Sequence, residues 1–163
     1  MDLLEWFTHN DLGEMLFTML VSMVPIIELR GGVPFGTALG LAPAQALIAA
    51  IIGNMLPIPF IIVYIRRIFY WMRRKSAKLN RLVDKLEKKA HLKGQKVTKY
   101  KYIGLWLFVA IPLPGTGAWT GALAAAFLNM PLRKALPSIF LGVITAGLIM
   151  TFATGVVVST VGG

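Results

Sequence analysis

The sequence predicts an all-α integral membrane protein. Its two inverted repeats each consist of a re-entrant helical hairpin plus one transmembrane helix, and a basic amphipathic cytoplasmic helix joins them. Three observations predict this. Of 163 residues, 56% are hydrophobic and only 15% are charged, against about 45–50% and about 25% in soluble domains. The net charge of +10 is segregated: residues 66–101 hold 14 of the 17 Lys/Arg and 2 of the 7 Asp/Glu. Four apolar stretches flank that block, and Gly/Pro clusters break two of them. The chain has no cysteine, so disulfides, thiolate catalysis and Cys-based metal sites are excluded.

The first repeat covers residues 1–65. Its start carries Asp2, Glu5, Asp11 and Glu14 and no basic residue before Arg30, which is not the positive n-region of a signal peptide. The stretch 12–41 is broken in its middle by Glu28-Leu29-Arg30-Gly31-Gly32-Val33-Pro34-Phe35-Gly36. Neither piece is long enough to cross, since a spanning helix needs about 20 apolar residues. A hairpin that enters and leaves by one face fits better. Non-helical backbone at that depth must be buried in protein or line a watery cavity. Residues 43–65 then form an uninterrupted apolar span.

The linker, 66–101, begins at Arg66-Arg67 where that span ends and stops before Tyr102-Ile103-Gly104. Lys/Arg beside a span mark the cytoplasmic side, so a membrane role is favoured over nucleic acid. Tyr64, Phe69, Tyr70 and Trp71 before the linker, and Tyr100, Tyr102 and Trp106 after it, suit an interfacial aromatic belt. Leu79, Leu82, Val83, Leu86 and Ala90 recur at three- and four-residue steps and give one apolar stripe. Lys78, Arg81, Lys85, Lys88 and Lys89 surround it, so the helix is expected to lie on anionic lipid, where each basic side chain contributes about 1 kcal/mol. The alternative is a solvated helix. Asp84 is placed to pair with Lys88, and Gly94 to end the helix. His9 and His91 stand in polar stretches and carry no assigned role.

The second repeat covers 102–163, with a hairpin at 102–129 and a span at 135–160. Its break reads Pro112-Leu113-Pro114-Gly115-Thr116-Gly117-Ala118-Trp119-Thr120-Gly121. Gly117-x-x-x-Gly121 repeats Gly32-x-x-x-Gly36, and Pro131 repeats Pro43. If the first hairpin enters from outside and the second from the cytoplasm, the linker, Arg133 and Lys134 all lie inside. The halves are then related by inversion. Four ordinary, slightly irregular spans are the plainer reading. Paired broken segments in corresponding halves point to a transporter site at the midplane.

Glu28 and Arg30 are the charges of the first break, and an intramembrane charge is a functional candidate by default. Gly31 and Gly32 are expected to unwind the chain so that the two meet, as a coupling carboxylate and an anion contact or as a structural ion pair. Pro34 suits the first position of a returning half-helix, and Thr116 its N-cap in the second hairpin. Both N-termini would aim N–H groups at one anionic group. Asn54 offers an amide within span 43–65, or a bond to a neighbouring helix. Trp119 is a gate, an apolar wall or ordinary packing. No carboxylate pair, Ser/His set, metal cluster or P-loop indicates an enzyme, and no cofactor is expected.

These two motifs, at 28–36 and 112–121, resemble those of the small multi-drug export protein family over nearly the whole chain. They are also similar in arrangement to the DedA/VTT membrane proteins, which include lipid translocases. Glu28, Pro34, Pro114 and Gly115 match that group's hairpin residues. Its second acid is missing here, as are the arginines flanking the Pro-Gly, with Gly117 where one would stand. The resemblance implies a secondary transporter or flippase in a prokaryotic inner membrane. An amphiphilic, anionic substrate would move there by alternating access, with proton coupling at Glu28. A passive scramblase or pore, and a non-transporting scaffold acting through the basic helix, are the alternatives. Anionic lipids are the expected partners, and homo-oligomerisation stays open.

Overall fold

The computed structural model describes residues 10–98, 101–113 and 115–161, and among these the regular secondary structure is helical throughout. Eight helices follow in order: α1 (Asp11–Met23), α2 (Glu28–Leu39), α3 (Pro43–Met55), α4 (Ile58–Lys75), α5 (Ala77–Thr98), α6 (Lys101–Ala110), α7 (Ala118–Phe127) and α8 (Leu132–Val161). Two stretches are long and apolar enough to cross a membrane, Pro43–Ile65 with mean hydropathy 2.3 and Leu132–Thr160 with 2.1. The helices on either side of each break are shorter. At 1.5 Å per residue, α1 and α2 reach about 20 Å and α6 and α7 about 15 Å, against a hydrocarbon core of about 30 Å. Met1–Pro57 with Val143–Gly163 makes one compact unit, and Ile58–Gly142 a second.

In the first unit, α1, α2 and α3 pack on one another through small residues at four-residue spacing. Gly32 and Gly36 of α2 face Ser22 and Thr18 of α1 on one side, and Ala50 and Ala46 of α3 on the other. Gly40, the left-handed cap of α2 at φ 116°, faces Glu14 one turn further on. Small residues let backbones approach closely, which is what drives helix association where lipid removes the hydrophobic incentive. Thr18 and Ser22 donate their hydroxyls to the carbonyls of Glu14 and Thr18, at 2.8 and 2.7 Å. The polar stripe is therefore satisfied within its own helix. Gly53 lies directly on the Met19 backbone, and Gly147 of α8 on Leu47 of α3.

The first break falls earlier than the sequence suggested. It occupies Val24–Ile27, not Glu28–Gly36. Pro25 biases the preceding Val24 toward extended backbone, and Val24 adopts it, φ −72° and ψ 127°. Gly31 and Gly32 stay helical, the Gly31 amide bonding the Ile27 carbonyl at 3.0 Å. They serve close packing, not unwinding. Pro34 lies inside α2 instead of opening it. Span 43–65 is itself interrupted at Leu56–Pro57, where α3 gives way to α4.

In the second unit, α4 runs on past the predicted span to Lys75, and α5 packs against α4, α6 and α7. Val83, the centre of the linker's apolar stripe, is fully buried in protein, while Leu82 is 47% exposed. Helix α5 continues beyond Gly94 to Thr98; one glycine costs about 1 kcal/mol relative to alanine and does not by itself stop a helix. Asp84 pairs with Arg73 of α4 at 2.9 Å and not with Lys88, and Glu87 joins the same guanidinium at 2.7 Å. Asn80 accepts a third bond from Arg73, at 3.1 Å. Asn80, Asp84 and Glu87 share one face of α5 by helical spacing. Arg73 thus fastens that face, leaving Lys78, Arg81, Lys85 and Lys88 exposed. Phe69 also leaves the expected aromatic belt: it is buried and stacks on Phe127 of α7, centroids 5.4 Å apart. Exposed ion pairs contribute about 0.2–1 kcal/mol each and are screened by salt. Arg73→Ala is therefore expected to speed hydrogen exchange in α5 several-fold at low salt, with a smaller difference at 1 M salt.

Candidate functional site

Glu28 is the first residue of α2, directly after the bent segment that Pro25 sets up. Its backbone is left-handed, φ 51°, an uncommon conformation for a residue with a side chain, and it is only 5% exposed. Arg30, two residues further along the same turn, is half-buried and lies within electrostatic reach of the Glu28 carboxylate. The two charges are thus brought together without the glycines unwinding. Asn54 is fully buried on α3. Among the described residues, neither its Nδ2 nor its Oδ1 has a hydrogen-bond partner.

Pro34 sits beyond the charge pair on α2. With Thr37 and Ala38 it forms one wall of a groove of about 580 Å³, closed on the other side by Met150, Ala153, Thr154, Val157 and Val158 of α8. Its lining is apolar apart from two threonines. The Thr37 hydroxyl already donates to the Val33 carbonyl at 2.9 Å. A space of this size and lining suits an acyl chain or a drug-sized apolar body. The groove joins a predicted site residue to a helix that the sequence did not connect with it.

The second break, 111–117, falls where its Pro/Gly cluster predicted. Pro114 lies outside the described residues, as does His9. Gly115 has φ 81° and Gly117 φ 131°, and Gly117 is the N-cap of α7. Thr116 therefore does not cap that helix. Its hydroxyl turns back, 2.8 Å from the carbonyls of both Ile111 and Leu113, and pins the loop to the end of α6. Trp119 is half-buried in the first turn of α7. Gly121 packs on Val109 of α6 at 2.6 Å from where a Cβ would stand, so the second Gly-x-x-x-Gly ends, like the first, in a tight helix contact. A smaller groove, of about 330 Å³, is lined by Phe69, Tyr70, Arg73, Glu87, Phe127 and Asn129.

Of the basic linker residues, Lys78, Arg81, Lys85 and Lys88 are exposed along α5, and Lys89 lies on the same helix. Glu14, Thr18 and Ser22 are buried polar residues that the sequence reading passed over. Their signal was present as a four-residue period matching that of Gly32, Gly36 and Gly40.

Short helices broken by Pro/Gly segments and two stretches long and apolar enough to cross a membrane fit a helical membrane protein. The profile described as "Putative small multi-drug export protein" matches residues 28–149, about three quarters of the chain, beginning at Glu28 itself. The chain belongs to that family. No curated protein and no solved structure matches it.

Proposed function

We propose that this chain is a secondary transporter or flippase of a prokaryotic inner membrane. It moves an amphiphilic, anionic substrate by alternating access at two hairpin tips, with proton coupling at Glu28. The observation that carries the reading is the buried Glu28 carboxylate beside Arg30, at the start of a helix that also walls an apolar groove. A charge placed there costs several kcal/mol unless it is used or paired. Arg30 supplies the contact for an anionic head, as a charge-assisted bond, and the Pro34 groove takes the apolar body. The short helix pairs α1–α2 and α6–α7 support hairpins that re-enter the face they came from. The loop 111–117, with glycines at two positive-φ positions, is the counterpart tip. The exposed arc of Lys78, Arg81, Lys85 and Lys88, with Lys89, lies against anionic lipid on the cytoplasmic side.

Reconstitution into proteoliposomes with an imposed pH gradient tests this. The probes are a fluorescently labelled anionic phospholipid and a cationic dye. Glu28→Gln, matching the neutral carboxyl in shape, is expected to make movement independent of the gradient while retaining binding. Arg30→Ala is expected to weaken capture of the anionic probe about 10- to 100-fold, the scale of a lost charge-assisted bond. An unchanged gradient dependence in well-folded Glu28→Gln contradicts coupling and favours the passive scramblase.

A further inference from the structure

Asn54 presents a problem that the proposed transport cycle, as stated, does not use. It is fully buried in an apolar span, and among the described residues both polar atoms of its amide lack a partner. Such a group costs free energy comparable to a lost hydrogen bond, and lipid offers no water in compensation. A leucine would fit the span without that penalty.

The register of α2 against α3 shows what stands at its level. Gly36 faces Ala46, and one turn on, Gly32 faces Ala50. One further turn, minus four on α2 and plus four on α3, pairs Glu28 with Asn54. The level that holds the buried carboxyl therefore also holds the unpartnered amide.

The chemistry of the two groups is complementary in one protonation state only. A carboxylate accepts and cannot donate, so it can satisfy the Asn54 Nδ2 but not the Oδ1. A neutral carboxylic acid does both: its O–H donates to Oδ1 while its C=O accepts from Nδ2. Arg30 has the opposite preference, since a guanidinium donates and favours the charged form. We propose that Asn54 is the positioning partner of protonated Glu28, and that the carboxyl moves between two seats. Ionised, it is held toward Arg30. On taking a proton from hydronium, with release of water, it turns to the Asn54 amide and frees Arg30 for an anionic substrate. This inference rests on the proton-coupled reading above and assigns the second seat of its carboxyl. Among the described residues of the first unit the other charged groups are Asp11 and Glu14 of α1, which stand toward the Gly40 end of the α1–α2 interface, and neither α3 nor residues 143–161 carry a titratable side chain.

Infrared difference spectroscopy of the full chain in phosphatidylethanolamine–phosphatidylglycerol vesicles, recorded against pH, reads this without a substrate. The expected result is a carboxylic-acid C=O band that Glu28→Gln removes. In Asn54→Leu that band moves to higher wavenumber, because the acid has lost its amide partner, while the thermal stability of the protein is kept or raised. A Glu28 band that Asn54→Leu leaves in place overturns the proposal, as does the absence of any acid band that Glu28→Gln removes. Should Asn54→Leu not fold, the exchange Glu28→Gln with Asn54→Asp reads the same pairing. Return of an acid band near its native position supports it, and absence of one overturns it. A band that behaves as expected in a protein whose transport ignores the pH gradient would leave the pairing intact and remove only the coupling.

Discussion

Gly53→Val is expected to abolish folded protein. A Cβ at Gly53 would overlap the carbonyl oxygen of Met19 far inside van der Waals contact, with the Met19 Cα at 2.7 Å and carbonyl carbon at 2.8 Å. Overpacking a core costs about 1–3 kcal/mol when side chains can yield. Here the obstacle is backbone, so α1 must move off α3, which also disturbs the Gly32/Ser22 and Gly36/Thr18 contacts that hold α1 to α2. Gly32→Val should be severe but milder, because a Ser22 hydroxyl can rotate away while a carbonyl cannot. Gly155→Val is the control, since nothing lies within 4 Å of its added Cβ. Fluorescence-detected size exclusion of the three variants in detergent checks the order: none folded, little, and native yield. A folded Gly53→Val would mean that the three-helix packing of the first unit is looser than described.

Gly117→Val is expected to dismantle the second tip while leaving the first unit folded. At φ 131° and ψ −175° the backbone lies in a region that is essentially glycine-only, where a side chain costs about 1–3 kcal/mol, and β-branching adds to it. The residue caps α7, and its carbonyl accepts both the Gly121 amide at 2.8 Å and the Thr120 hydroxyl at 3.2 Å. Moving it therefore disturbs the first turn, where Trp119 stands. Transport of either probe should fall at least tenfold. Protease sensitivity should appear at 111–117 without change in α1–α3. Full transport by folded Gly117→Val would remove the second tip from the mechanism.

The contrast between the two breaks shows what was legible in the sequence. The second could be placed because Pro112, Gly115 and Gly117 all fall within the break, and both glycines take positive φ. The first was misplaced because Gly31, Gly32 and Pro34 look alike on paper. Gly32 is required by the neighbouring helices α1 and α3, Gly31 by the Ile27 side chain at the start of its own helix, and the proline is tolerated inside α2. The real breaker is Pro25, a single residue acting through Val24. The α1–α2 zipper was written in the matching periods of Glu14-Thr18-Ser22 and Gly32-Gly36-Gly40. Arg73 could not be singled out among 14 basic linker residues, because its role depends on which face of α5 folds back on α4. Asn54 stood out as an amide in an apolar span, whereas its lack of a partner is a property of packing alone.

The proposed transport cycle requires the two broken hairpins to enter the membrane from opposite faces, with the basic linker inside. The native chain has no cysteine, so single cysteines at Ser159, which is exposed near the end of α8, and at Lys78, exposed on α5, are clean probes. In intact cells, a membrane-impermeant maleimide is expected to label Ser159→Cys and to leave Lys78→Cys unlabelled until the membrane is opened. Labelling of both positions only after the membrane is opened would place them on one face and contradict the inverted arrangement.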